Sequence, residues 1–326
     1  MRSGELISEY DAEAALNIRY VRLTFVVSFP RDCTLPAHKA SALRGGMGQR
    51  LLEQNCVRDR GCERCDFEDD CLVRRIMYAK NRLPVRYGGK GESNGYIIEC
   101  ENTKTQFHQG ERLRFRVTLF GRVIPYFSQI LQAFYQLGLV GLGKDHAPFE
   151  IVRVENDDRK PIVSGRNVYL SNYRVKTVFE YAAGRVSALG PGDMETEYTM
   201  QFPAPAAIKS GGELIGRFGA DPILRALMRR IYTMDCFEGI DLPLMSWEEH
   251  MPEEVSEESR LCNVTRYSSA HESRITLLGL KGEIRLKHVP EEMLLCLTAG
   301  EVLHIGSNTS FGFGRYVLER NEGVCG

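Results

Sequence analysis

The segment His304-Ile305-Gly306-Ser307-Asn308-Thr309-Ser310-Phe311-Gly312-Phe313-Gly314-Arg315-Tyr316 joins a predicted helix to a predicted strand. Before it, Pro290 to Val302 reads as a helix opened by Pro290-Glu291-Glu292, which places carboxylates at the positive end of the dipole. After it, Gly314 to Leu318 reads as a strand. Glycines at 306, 312 and 314 let backbone N–H groups approach a phosphate closely. Ser307, Thr309 and Ser310 add hydroxyls, and Arg315 adds a charge whose planar geometry matches phosphate. On these residues alone, an anion-binding loop and a tight turn with packing glycines fit equally well.

Working outward, Glu195 to Phe202 reads as a strand and Pro222 to Met234 as a helix with Asp221 as N-cap. Asn263 to Tyr267 and Ile275 to Leu286 read as two further strands. The same order occurs upstream. Val21 to Phe29 is β-branched and aromatic, as a strand requires. A helix follows, with Pro36 suiting its first turn and Leu43, Met47 and Leu51 repeating every four residues on one face. Gly45, Gly46 and Gly48 are costly inside a helix, which predicts close approach to another backbone. Arg112 to Leu119 alternates as a strand with a basic outer face, Tyr126 to Leu137 reads as an amphipathic helix, and Phe149 to Val154 as a strand. The fold class is therefore α+β, two ferredoxin-like split βαβ units in tandem. The expected division is residues 1–190, with a cysteine-rich insertion at 55–72, and residues 191–326, with the glycine-rich loop at 304–316. The acidic, proline-containing stretch 237–260 reads as an insertion or surface loop.

Several segments in this order resemble the CRISPR repeat-processing endoribonucleases of the RAMP superfamily. They are Leu43-Arg44-Gly45-Gly46-Met47-Gly48, Gly138-Leu139-Val140-Gly141-Leu142-Gly143, Lys209-Ser210-Gly211-Gly212, Arg266-Tyr267-Ser268-Ser269, Leu278-Gly279-Leu280-Lys281-Gly282-Glu283 and the loop 304–316. The resemblance implies tandem RRM-like domains with RNA on a shared face and the glycine-rich loop at its edge. It also implies metal-independent cutting of precursor CRISPR RNA within each repeat. The ribose 2′-hydroxyl attacks the adjacent phosphate, leaving a cyclic phosphate and a 5′-hydroxyl, and the enzyme keeps hold of the product. Some members of the family have lost cutting. The alternative is thus a non-cleaving subunit that binds guide RNA in a CRISPR effector complex beside other subunits.

Bulk properties agree with a soluble RNA-processing protein without specifying one. The chain has 326 residues, enough for two domains of ordinary size. Hydrophobic residues make up 43% and charged residues 26%, and no apolar run reaches membrane-spanning length. The polar, acidic N-terminus is not a secretory signal, so the expected location is the cytoplasm, away from any membrane. Net charge is −1, but residues 31–90 carry 13 Lys/Arg against 8 Asp/Glu, whereas residues 241–260 carry 7 Asp/Glu against one Arg. Such asymmetry makes a local RNA-attracting field on a neutral protein, and equally an ordinary solvated surface.

Transesterification at a 2′-hydroxyl needs a base, an acid at the leaving oxygen and positive charge at the phosphorane. Histidine suits either proton role. His38 is the first choice, expected in the opening turn of the first helix and off its apolar face. Relatives frequently place a catalytic histidine near this helix. His304 before the glycine loop and His271 at a strand-to-strand turn are the other catalytic candidates. RNA contacts are expected from Lys39, Arg44, Arg74, Arg75, Lys209, Arg266, Arg274, Lys281 and Arg315, and from the loop at Gly306, Ser307, Gly312 and Gly314.

The sequence holds ten cysteines, of which four form the pattern Cys56-x5-Cys62-x2-Cys65-x5-Cys71. Four thiolates in one short polar segment satisfy tetrahedral zinc in a structural role. An iron–sulfur cluster is the alternative, since thiolates serve it equally. No catalytic metal is expected.

Overall fold

The computed structural model describes residues 11–321 apart from 59, 61, 63, 64, 87–94, 191, 194, 246, 249, 250 and 269–272, together with the backbone but not the side chains of 267, 268, 273 and 274. The first unit runs strand β1 (Arg19–Ser28), helix α1 (Ala40–Asn55), short helix α2 (Leu72–Met77), strands β2 (Tyr96–Glu99) and β3 (Arg112–Phe120), helix α3 (Phe127–Val140) and strand β4 (Glu150–Glu155). Its sheet has the order β2-β3-β1-β4 with every pairing antiparallel, and short strands beyond β4 extend it. After helix α4 (Val178–Leu189), the second unit runs strand β5 (Tyr198–Ala206), helix α5 (Ala220–Glu238), strands β6 (Glu253–Ser268) and β7 (Ser273–Lys287), helix α6 (Glu291–Leu303) and strand β8 (Val317–Arg320). Its order is β6-β7-β5-β8, again antiparallel. Both units are therefore β-α-β-β-α-β with the first strand inside and the second at one edge, the ferredoxin-like arrangement.

Apolar periodicity explains these elements. Leu43, Met47 and Leu51 are all fully buried on one face of α1. The helical glycines do allow close approach, but to side chains: a Cβ at Gly46 would lie 2.5 Å from Leu137 of α3, and one at Gly48 would lie 2.8 Å from Met77 of α2. A Cβ at Gly45 would meet nothing within 4 Å.

Two expected boundaries are corrected. Helix α1 begins at Ala40, after Pro36 and His38. The preceding chain is held extended instead, because Cys33–Thr34 pairs with Gln106–Phe107 and the Leu35 N–H donates to the Thr105 carbonyl at 2.8 Å. The acidic stretch is not a loop throughout, since α5 continues to Glu238 and β6 begins at Glu253. The carboxylates of Glu254 and Glu257 accept the N–H groups of Ala220 and Phe218 at 3.3 Å, placing negative charge at the positive end of α5.

One continuous set of buried apolar residues runs through both units. Ion pairs on buried carboxylates join them as well. Glu238 at the end of α5 accepts from Arg19 of β1 at 2.8 Å, and Glu301 of α6 accepts from Arg185 of α4 at 2.9 Å and from the Leu318 N–H at 2.7 Å. Among the described residues, no helix is long and apolar enough to cross a membrane.

Candidate functional site

The glycine-rich loop leaves α6 through a left-handed turn and crosses to the first unit. His304, Gly306, Asn308, Gly312 and Gly314 all have φ between +55° and +80°. The glycines are demanded by packing: a Cβ at Gly314 would overlap the Ile305 carbonyl oxygen, one at Gly306 would lie 2.6 Å from the Ala207 oxygen, and one at Gly312 would lie 2.9 Å from the Ile98 oxygen on β2. The amides are also spent internally. Ser307, Gly312 and Gly314 donate to the carbonyls of Ala207, Thr309 and Pro205 at 2.8–2.9 Å. Of the two readings that fitted the loop equally well, these hydrogen bonds favour the tight packed turn.

A buried carboxylate fastens the loop to the first unit. Glu99, the last residue of β2, accepts from His304 Nε2 at 3.1 Å and Arg116 Nη1 at 3.2 Å, and pairs with Arg315, whose Nε lies 3.2 Å away. The other histidine nitrogen, Nδ1, faces the Phe313 carbonyl at 3.0 Å. Both ring nitrogens of His304 thus face oxygen acceptors. Burial pushes the Glu99 carboxyl up, but the charge and hydrogen bond of His304, then Arg116 and Arg22, outweigh it and hold the group well below the usual carboxylate range. His304 is 2% exposed with both nitrogens occupied, so it is a positioning residue rather than the catalyst expected from sequence.

Beside this node lies a cavity of about 270 Å³ between the units, lined by His38, Ser41, Lys281, Phe311, Gly312 and Arg315 among others. Half-buried His38 comes from the chain just before α1, and Lys281 comes from β7. Burial lowers the His38 pKa below 6.5, and the charges of Lys281 and Lys39 lower it further. His38 and Lys281 thus line one concave site.

Residues 165–316 match the model of the CRISPR-associated endoribonuclease Cas6 family, and residues 17–177 match a second model, described as an N-terminal domain. The second half of the chain is thus similar to the Cas6 family. The fold is similar to a chain of a partial Cas6-RT-Cas1–Cas2 complex, with 13% identity and a TM-score of 0.57, covering 94% of this chain and 47% of that one. It is also similar to Cas6 of Thermus thermophilus, with 12% identity and a TM-score of 0.50, covering 92% and 98%. The protein therefore spans about half the length of the first relative and nearly all of the second. At these identities the likeness shows the fold. No curated protein sequence matches the chain.

The fold disperses the other expected RNA contacts. Lys39 is fully buried, and its ammonium donates to the carbonyls of Asn102 and Lys104 at 2.7 Å, which withdraws it from any phosphate. Arg74 donates to the Cys62 carbonyl at 3.1 Å and pairs with Glu68, while Arg75 holds the Asp69 carbonyl at 3.0 Å, so both brace the cysteine segment instead of facing RNA. Lys209 lies exposed in a separate groove with Gly306, Ser307, Arg229 and Arg86. Arg44 and Arg266 converge on the Phe311 ring. His271 and the Arg274 side chain lie outside the described residues. Sequence reasoning missed Glu99. Its signal was the carboxylate that directly ends the apolar run Tyr96-Ile97-Ile98.

The four clustered cysteines are half-buried thiols in one neighbourhood. Burial pushes the Cys62 thiol up, and Cys71 and Cys56 add to the effect. Yet among the described residues no three His, Cys, Asp or Glu side chains are arranged to hold a metal ion. The geometry therefore gives the expected zinc site, or iron–sulfur site, no support.

Proposed function

We propose that the protein is an endoribonuclease that cuts precursor CRISPR RNA within the repeat and retains the product. The observation that carries this reading is the meeting of His38 and the glycine-rich loop, from opposite ends of the chain, in one cavity with Lys281. The match of residues 165–316 to the Cas6 endoribonuclease family supports the RNA substrate.

In this reading neutral His38 removes the proton from the ribose 2′-hydroxyl. The 2′-oxygen forms a bond to the adjacent phosphorus while the bond from phosphorus to the 5′-oxygen breaks. The departing 5′-oxygen takes up a proton as it leaves. Lys281 places a positive charge where the phosphorane develops, in a partly desolvated site where such charge acts strongly. Partners are repeat RNA and its processed product, and the likeness to a chain of the Cas6-RT-Cas1–Cas2 complex makes other CRISPR proteins candidates for a shared assembly. The proposed location is the cytoplasm.

The test is incubation of the purified protein with its cognate repeat transcript in EDTA. Site-specific cleavage with a cyclic phosphate end, abolished in His38→Ala while RNA binding persists, is expected. Tight binding without cleavage by the wild type would overturn the catalytic reading and leave a guide-RNA-binding subunit.

A further inference from the structure

The loop amides at Ser307, Gly312 and Gly314 are spent, which turns attention to side chains near the cavity for contact with an RNA backbone. One pair is unlike the rest. The guanidinium carbon of Arg44, from α1, lies 4.5 Å from the centre of the Phe311 ring, and that of Arg266, from β6, lies 4.7 Å from it. The two charges are therefore no more than about 9 Å apart. Most arginines of the chain that face its interior meet a carboxylate, as Arg116 and Arg185 do. Among the described residues, Arg44 and Arg266 meet none. The Nε atoms of both are buried without a hydrogen-bond partner. Burial and the charge of Arg44 also lower the Arg266 pKa, as expected for like charges forced together.

The ring accounts for part of this arrangement, since a cation over an aromatic face is attracted to it. It does not satisfy the N–H donors. A phosphate against the two guanidinium groups would offset their charge and relieve the repulsion, and guanidinium geometry matches its oxygens. Approach is open on the α1 side, where the neighbouring Gly45 is exposed with nothing within 4 Å of a Cβ. Phe311 itself lines the cavity that holds His38.

We propose that Arg44 and Arg266, set by Phe311, form a phosphate subsite that holds an RNA backbone phosphate beside the one being cut. The inference rests on the RNA-cutting reading above and adds the residues that fix the strand's register in the site. Phe311 has a second role here: it ties the subsite to the loop, so the distance from the held phosphate to His38 is set by packing.

The experiment measures binding of a repeat RNA made uncleavable by a 2′-deoxy nucleotide at the cut, as a function of salt. Arg44→Ala and Arg266→Ala should each weaken binding about tenfold and lower the salt slope by about one, as loss of one phosphate contact does. Lysine variants keep the charge and should keep the slope. In RNAs carrying one neutral methylphosphonate each, a single position near the cut should weaken wild-type binding while leaving the double alanine variant unaffected. Wild-type affinity and slope in the alanine variants would overturn the subsite. So would loss of slope in the lysine variants, or variant defects equal at every methylphosphonate position, since these report a disturbed loop rather than a lost contact. A wild type that binds no repeat RNA would instead defeat the proposed function itself.

Discussion

Replacing Glu99 by alanine tests whether the glycine-rich loop is held by charge. Glu99 is buried, and His304, Arg116 and Arg315 converge on its two oxygens at 3.1–3.2 Å. Arg315 retains a second partner, Glu101, at 3.0 Å, whereas His304 would face an empty position at 2% exposure. Removing one member of such a buried group leaves uncompensated charge and costs about 3–5 kcal/mol. For a chain of this size the midpoint of thermal unfolding should fall by on the order of 10 °C. The pH dependence has a definite sign. The folded-state pKa of Glu99 is depressed, so its contribution is complete above the unfolded carboxylate value of about 4.3 and is lost as pH falls through the depressed one. The gap between wild type and Glu99→Ala should therefore be widest near neutrality and close progressively in acid. Calorimetry of both proteins between neutral pH and about pH 3 reads this directly. Midpoints within about 2 °C of each other at neutral pH, or a gap that does not narrow in acid, would refute the reasoning.

Three further outcomes are expected. The acid limb of kcat/KM should have its midpoint below 6.5, because the base must be neutral and the His38 pKa is lowered, and Lys281→Ala should move that midpoint upward; a midpoint unmoved by the substitution counts against the pair. Gly314→Ala, with φ of +71° and a Cβ overlapping the Ile305 oxygen, should lose more than about 2 kcal/mol in urea unfolding, and a loss under about 0.5 kcal/mol would contradict the packed turn. For the cysteine segment the proposal from donor chemistry is a structural zinc, read as about one colourless equivalent per chain that Cys62→Ser and Cys65→Ser lose. Metal-free protein with four titratable thiols would sink it, and a visible absorption band would turn it to iron–sulfur.

Much of the architecture was legible because it is written in local periodicity. The four-residue spacing of Leu43, Met47 and Leu51, the alternation of Arg112 to Leu119 and the Pro-Glu-Glu opening of α6 each act within one element. The extent of β6 was not, because its carboxylates look solvated until Glu254 and Glu257 meet the start of α5. The helix α4 also went unread, although its capping box Thr177 to Glu180 is a sequence signal.

By itself, then, the amino-acid sequence determined the order of strands and helices, and it named His38, Lys281 and the 304–316 loop as the parts to watch. Tertiary structure alone decided which charges lose water and to whom they turn. Lys39 and His304 looked as available as His38, yet two carbonyls claim the first, and Glu99, 205 residues away, claims the second. The energy of a charged group depends on the distant partner and the burial it finds on folding, and neither is encoded in the residues beside it.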